Sequence, residues 1–255
     1  MEKLALSNVP STSRHEIVAA LQHSLRRLEG EQHPELGCIS SGSIALDQIL
    51  PQHGLRRGTL VEWLGDEGSG AATLALAAAR EACRGAGALV VMDGEIAGKQ
   101  RFYPPAIAGL NMDLRQVIVV RPATPKDYRW ALSQALHCRG VSAVLGWPQK
   151  LDSRSLRQFQ LAAETGGSLG LLVRPTRALG KPTWADVQLL IHSLPTLSQT
   201  FNRRLRVEVS QCRGKSGGQV EVEVDCETGL IHDASTLPLA SPLVHSASVQ
   251  RPARA

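Results

Sequence analysis

Aromatic side chains are scarce in this chain: Phe, Trp and Tyr make up 4% of its 255 residues. With so few large rings, a core of normal density has to be assembled from Ala, Leu and Val. Metal and redox patterns are missing as well. Cys38, Cys83, Cys138, Cys212 and Cys226 include no C-x-x-C pair and have no histidine at ligand spacing, so they read as reduced thiols. His33, His137, His192 and His232 are isolated, and neither H-E-x-x-H nor G-x-S-x-G occurs, which removes the usual zinc-hydrolase and serine-hydrolase readings. No apolar run of about 18 residues exists, and Met1 to Ser11 lacks the apolar stretch of a secretory signal. The expected protein is cytoplasmic, without cofactor or metal.

What the chain does contain is a globular composition, 43% apolar and 20% charged, enough for one core. A net charge of +5 leans weakly toward anionic partners. Ser11 to Glu29 places Ile17, Val18, Leu21, Leu25 and Leu28 at three- and four-residue steps, an amphipathic helix that either packs on its own domain or docks elsewhere. From Thr59 onward, apolar runs alternate with helical patterns: Thr59 to Leu64, a helix Ala71 to Arg84, Ala88 to Asp93, a short helix Pro105 to Leu110, Val117 to Val120, a helix Pro125 to Cys138, Val141 to Leu145, a helix Asp152 to Thr165, and Ser168 to Val173. This rhythm predicts parallel strands with helices on both faces. After Val187 to Ile191, the segments Arg204 to Val209 and Val220 to Val224 alternate apolar and charged residues around a Gly-rich turn, which predicts an antiparallel hairpin at the sheet edge. Three regions are expected: 1–40, an N-terminal helix and linker; 41–234, the α/β core; and 235–255, a flexible tail rich in Ser, Pro and Ala.

The most telling junction is Gly65-Asp66-Glu67-Gly68-Ser69-Gly70-Ala71-Ala72-Thr73, between an apolar strand and an Ala-rich helix. It has the outline of a phosphate-binding loop, G-x-x-x-x-G-K-[ST], in which backbone N–H groups and a lysine hold phosphate oxygens and a hydroxyl holds Mg²⁺. Gly65 and Gly70 keep the offset, but Ala71 stands at the lysine position and Ala72 at the hydroxyl position.

The order of elements resembles the RecA-like core, and within it the family of ImuA, the SulA/RecA-like accessory protein of damage-induced mutagenesis. The segments that carry the likeness are Ser41 to Asp47, Gly54 to Glu62, Ala108 to Leu114 with Val119 to Pro122, Leu151 to Glu164, and Leu205 to Val209. The fold so implied is α/β: a RecA-like, mostly parallel sheet with helices on both faces and an antiparallel C-terminal hairpin extension. The resemblance implies a non-catalytic part in error-prone translesion synthesis, through contacts with an ImuB-type Y-family-like protein and a DnaE-type polymerase. RecA is a further candidate partner, DNA contact is weak and no membrane is involved. A SulA-like inhibitor of cell division and a residual ATP- or DNA-binding recombinase are the rival readings.

The same resemblance assigns meanings to single residues. Glu95 falls where recombinases keep the carboxylate that orients the attacking water, yet without phosphate anchors it reads better as an exposed turn carboxylate. The strand Val141 to Leu145 ends in Gly146-Trp147-Pro148, where those enzymes have a metal-binding Asp. Trp147 could stack on a base or plug the crevice. Gln211 and Arg213 match two basic positions that touch a neighbour's nucleotide. Arg203 and Arg204 lie in the segment Leu194 to Arg206, which reads either as a polar loop able to touch phosphates or a partner or equally as a plain connection. Lys150, Arg154, Arg157 and Arg174 could form a basic strip near the sheet's carboxyl ends.

Overall fold

The computed structural model describes residues 37–85, 87–94, 102–148, 150–195, 202–212 and 217–233. The expected N-terminal helix, Glu95, Arg213 and the tail from Ser235 lie outside the described residues.

Strand β3 (Leu60–Leu64) is buried along its whole length, as a strand with helices on both sides should be, although Glu62 interrupts its apolar run. It leads through the loop into α2 (Ala71–Ala82) and then β4 (Ala88–Met92), the first crossover unit. There follow α3 (Pro105–Gly109), β5 (Val117–Val120), α4 (Pro125–His137), β6 (Val141–Gly146), α5 (Ser153–Gly166), β7 (Leu169–Arg174) and β8 (Val187–Leu194). The chain closes with β9 (Asn202–Cys212), β10 (Gln219–Asp225) and β11 (Ile231–Asp233). Ahead of these, β1 (Cys38–Ile39) and β2 (Leu55–Arg56) form a small antiparallel pair around α1 (Ile44–Ile49). The main sheet has nine strands in the order β11-β10-β9-β8-β3-β7-β6-β4-β5. From β5 to β8 the pairing is parallel, and from β8 to β11 it is antiparallel.

Helix starts follow their capping residues. The side chains of Ser43, Thr124 and Asp152 accept from the backbone N–H of Leu46, Asp127 and Ser155. Period-two alternation along the parallel strands splits the core in two. Val61, Trp63, Leu89, Val91, Leu145 and Leu171 face α2, whereas Leu60, Val90, Met92, Val144 and Leu172 face α4 and α5. In α2, Ala75, Ala77, Ala78, Ala79 and Ala82 are fully buried, so small side chains let the helix lie close against the sheet. That is how the fold forms a dense core with few rings.

Three expectations need correction. The hairpin β9–β10 is not the edge: β11 pairs outside it, and β9 also joins β8 antiparallel. Three residues, Ile231 to Asp233, are too few to show a period, which hid β11; the two-residue strands β1 and β2 escaped for the same reason. The segment read as a polar loop ending at Arg206 is strand from Asn202 onward, so Arg203, Arg204 and Arg206 are ladder residues. Arg174 does not belong to a surface strip. It is buried and ion-paired with Glu62, a fully buried carboxylate in the middle of β3. Gln188 Nε2 donates to the other oxygen of Glu62 at 2.8 Å, and Ser210 Oγ donates to the Gln188 side chain at 3.1 Å, so one polar chain crosses β7, β3, β8 and β9. A buried carboxylate holds its charge only with such partners, and this one drew Arg174 inward.

Candidate functional site

The loop sits at the carboxyl end of β3, beside the ends of β6 and β7. The N–H of Gly65 donates to the carbonyl of Arg174 at 2.9 Å, which ties the start of the loop to β7. The carbonyl of Asp66 accepts from the N–H of Ser69 at 3.0 Å, closing a turn in which Gly68 has a φ of 79°. The Asp66 carboxylate faces sideways. It accepts from Thr176 Oγ1 at 2.7 and 2.8 Å and from the Thr176 N–H at 3.2 Å, and these bonds hold its pKa below the ordinary carboxylate range. Of the two acids in the loop, Asp66 and Glu67, the first is thus engaged with the segment after β7.

Inside the loop, Ser69 Oγ lies over Gly65, where a side chain on that residue would collide with it. The same oxygen accepts from the N–H of Ala71 at 3.3 Å. The loop's own hydroxyl therefore occupies a donor that a phosphate oxygen would take in a working loop. Ala71 is buried and Ala72 half-buried, and neither carries a cation or an oxygen, so these two positions offer only backbone N–H groups. Thr73, next in line, is half-buried and lines the cavity.

Strand β9 clamps the loop from the side. Leu205 packs against Gly70, whose φ of 92° and closeness to the leucine both require glycine. Two residues earlier, the Arg203 guanidinium donates to the carbonyl of Gly68. Arg203 and Trp147 stand between two concavities. One, of about 400 Å³, lies over the loop Gly65 to Thr73. The other, of about 540 Å³, is walled by Leu76, Phe102, Leu110 and Leu145 and by the turn Asp225 to Gly229. The Trp147 ring packs against Phe102, with centroids 6.1 Å apart.

Asp93, at the end of β4, was not singled out from the sequence. It is buried, accepts from the Phe102 N–H at 3.0 Å and from Arg121 Nε at 2.9 Å, and so fixes the backbone of Phe102, whose ring packs against Trp147. Its only sequence signal was a lone carboxylate closing an apolar run. Ser69 and Leu205 were equally silent, since Ser69 stands at an unspecified position of the loop motif and Leu205 carries no polar group.

The remaining candidates do not converge on the loop. Arg204 meets Glu221 at 2.9 Å and Glu223 at 3.8 Å, and Arg206 meets Glu221 at 3.0 Å. The Arg206 hydrogen bond, with help from Arg204, keeps Glu221 ionised to lower pH than an ordinary glutamate. Gln211 pairs with Gln188 in the ladder. Arg157 stacks over Trp184 at 4.6 Å, on the α5 side. Among the described residues, no cluster of His, Cys, Asp or Glu could hold a metal ion, and no helix is long and apolar enough to cross a membrane. None of the five cysteines, all of them among the described residues, is in a disulfide, and burial pushes the thiol of Cys83 up to about 11.

Comparison with known proteins matches this arrangement to one family. Residues 18–135 fit the RecA N-terminal domain. Protein RecA of Rhodopirellula baltica is 34% identical over 150 residues, 58% of this chain and 38% of that protein. Protein RecA of Frankia alni is 36% identical over 227 residues, 73% of this chain and 64% of that protein. The chain thus spans well under half the length of the first relative and somewhat under two thirds of the second. Protein RecA of Acidothermus cellulolyticus is 40% identical over 257 aligned positions, which take in 85% of this chain and 73% of that protein. A relative matched over that much of its length, together with the order of the sheet and the loop at the end of its central strand, establishes that the chain belongs to the RecA family.

Proposed function

We propose that this chain is a non-catalytic RecA-family accessory protein that works through protein contacts in damage-induced, error-prone translesion synthesis. Its partners in this reading are an ImuB-type Y-family-like protein and a DnaE-type polymerase, as the resemblance to ImuA implies. The observation that carries the non-catalytic part is the first turn of α2, where Ala71 and Ala72 supply no cation and no hydroxyl while Ser69 Oγ takes the Ala71 N–H. Phosphoryl transfer depends on electrostatic anchors for the terminal phosphate and its metal ion, and neither alanine can replace them. The end of β6, Gly146-Trp147, adds no carboxylate to the site.

Two measurements test the reading. Titration calorimetry of the full chain with Mg-ATP is expected to show no heat of binding, and a phosphate-release assay no turnover; micromolar binding or hydrolysis would overturn the non-catalytic part. Affinity capture is expected to retain a Y-family-like polymerase homologue. Retention of the tubulin-like division protein in its place would overturn the mutagenesis part.

A further inference from the structure

The larger concavity beside the loop has no role in that function as it stands. Its walls are apolar and aromatic: Leu76, Phe102, Tyr103, Leu110, Leu145 and Trp147. Tyr103 is 68% exposed, although its ring borders a cavity of about 540 Å³. A patch of this kind is costly to leave in water. Its far rim is acidic. Asp225 and Glu227 lie at the turn between β10 and β11, and Arg203, the one cation of the lining among the described residues, is already bonded to Gly68. The Asp225 carboxylate accepts from the N–H groups of Glu227 and Thr228, which hold its pKa below the ordinary range.

We propose that the chain's own C-terminal tail, residues 234–255, docks in this groove, with Leu237, Leu239, Leu243 and Val244 as its apolar anchors. The inference rests on the reading that the neighbouring loop takes no nucleotide, which leaves the groove available to protein. The path is short. Gly229 lines the groove, and the chain runs from there through β11 to Asp233, which is pinned by bonds from Ser43 Oγ at 2.9 Å and the Ala45 N–H at 3.1 Å. Four strand residues cover about 13 Å, so a tail that turns back at Asp233 returns to the groove within about four residues. Leu239, Leu243 and Val244 then have slack to spare. Pro238 and Pro242 favour an extended backbone, which lowers the entropy lost on docking. The charges also match: beyond Asp233 the sequence has Arg251 and Arg254 and no Asp or Glu, opposite the rim of Asp225 and Glu227. A short tether gives an effective concentration near the millimolar range, so weak contacts suffice. A partner that needs the groove must then displace the tail.

Cys226 lies on the groove rim and is exposed in the structure, so it reports on cover, while Cys138, exposed at the end of α4, serves as the control. Alkylation of the full chain by iodoacetamide is followed at each cysteine by mass spectrometry. The comparison variants are Leu239→Asp with Leu243→Asp in the tail, and Tyr103→Asp at the rim. A tail docked nine-tenths of the time slows Cys226 about tenfold relative to either variant and leaves Cys138 unchanged. Equal rates at Cys226 in the native chain and the tail variant overturn the proposal and leave the non-catalytic reading untouched. Protection that grows with protein concentration places a second copy's tail in the groove and overturns docking within one chain. Slowing of Cys226 by Mg-ATP in the tail variant overturns the nucleotide-free reading, while tail protection measured without ATP is judged separately.

Discussion

Strand β3 carries two polar regions that have met the cost of burial in opposite ways. In its middle, Glu62 keeps a full charge inside the sheet, answered by Arg174 and by the Gln188 amide. At its end, the loop Gly65 to Thr73 has alanines at positions 71 and 72, and the N–H groups of Gly65, Ser69 and Ala71 are met by the carbonyls of Arg174 and Asp66 and the hydroxyl of Ser69. The interior cluster joins four strands and its partners depend on one another. The loop is closed by local contacts and by Leu205 and Arg203 from β9. The interior charge is thus paired within the framework, while the loop's lysine and hydroxyl positions hold alanine.

The sharpest way to break this comparison is Arg174→Ala. Removing one partner strands Glu62 in the sheet, and urea unfolding is expected to show a loss of about 3–5 kcal/mol. Replacing both residues, Glu62→Met with Arg174→Met, should cost clearly less than the single change, because no uncompensated charge remains. If the single and double variants are equally destabilised, the pair matters as packing rather than charge. Gly70→Ala comes next. The backbone there has a φ of 92°, and a new Cβ would lie 2.6 Å from Leu205 Cδ1. About 1–3 kcal/mol is expected. Adding Leu205→Ala should not recover this loss in full, since the backbone strain stays.

How much of this was legible depended on the signal each feature leaves in sequence. Continuous apolar runs such as Ala88 to Met92 separated by helical spacing predicted the parallel sheet, and the alternation in Val220 to Val224 predicted antiparallel pairing. The loop showed through its two glycines and the alanines after them. Glu62 and Arg174 were not recognised as a pair, because they stand on different strands, 112 positions apart in the chain, and only the sheet order makes those strands neighbours. Ser69 was unreadable for another reason: whether a loop serine points outward or back over Gly65 depends on backbone angles that a string of residues does not display. The clamp by Leu205 needed both the long connection and the register of β9.

A smaller effect separates the interior charges from those on the sheet surface. Arg204 and Arg206 answer Glu221 across β9 and β10, where water screens the interaction. Glu221→Gln is expected to cost less than about 1 kcal/mol at neutral pH and to lose most of that in high salt. The folded pKa of Glu221 is lowered, so its contribution is present above the unfolded value of a glutamate and disappears as pH falls through the folded one. Stability curves of the native chain and of Glu221→Gln should therefore converge only in acid below the ordinary glutamate range, once the folded carboxylate is protonated. A gap that persists in acid would assign the effect to packing.

The smallest expected effect is the most informative about the loop. Restoring its missing groups with Ala71→Lys and Ala72→Thr should give no ATP turnover above the native chain. A lysine and a hydroxyl would supply two of the anchors, but the end of β6 still offers Gly146-Trp147 in place of a carboxylate, and Ser69 Oγ still competes for the N–H of residue 71. Phosphoryl transfer needs these groups together, and components that act as a unit do not restore rate singly. Turnover in this variant, read by phosphate release, would mean that the frame around the loop has kept the rest of a nucleotide site. The contrast drawn along β3 would then reduce to two substitutions, because the charge lost from the loop would be all that the site had lost.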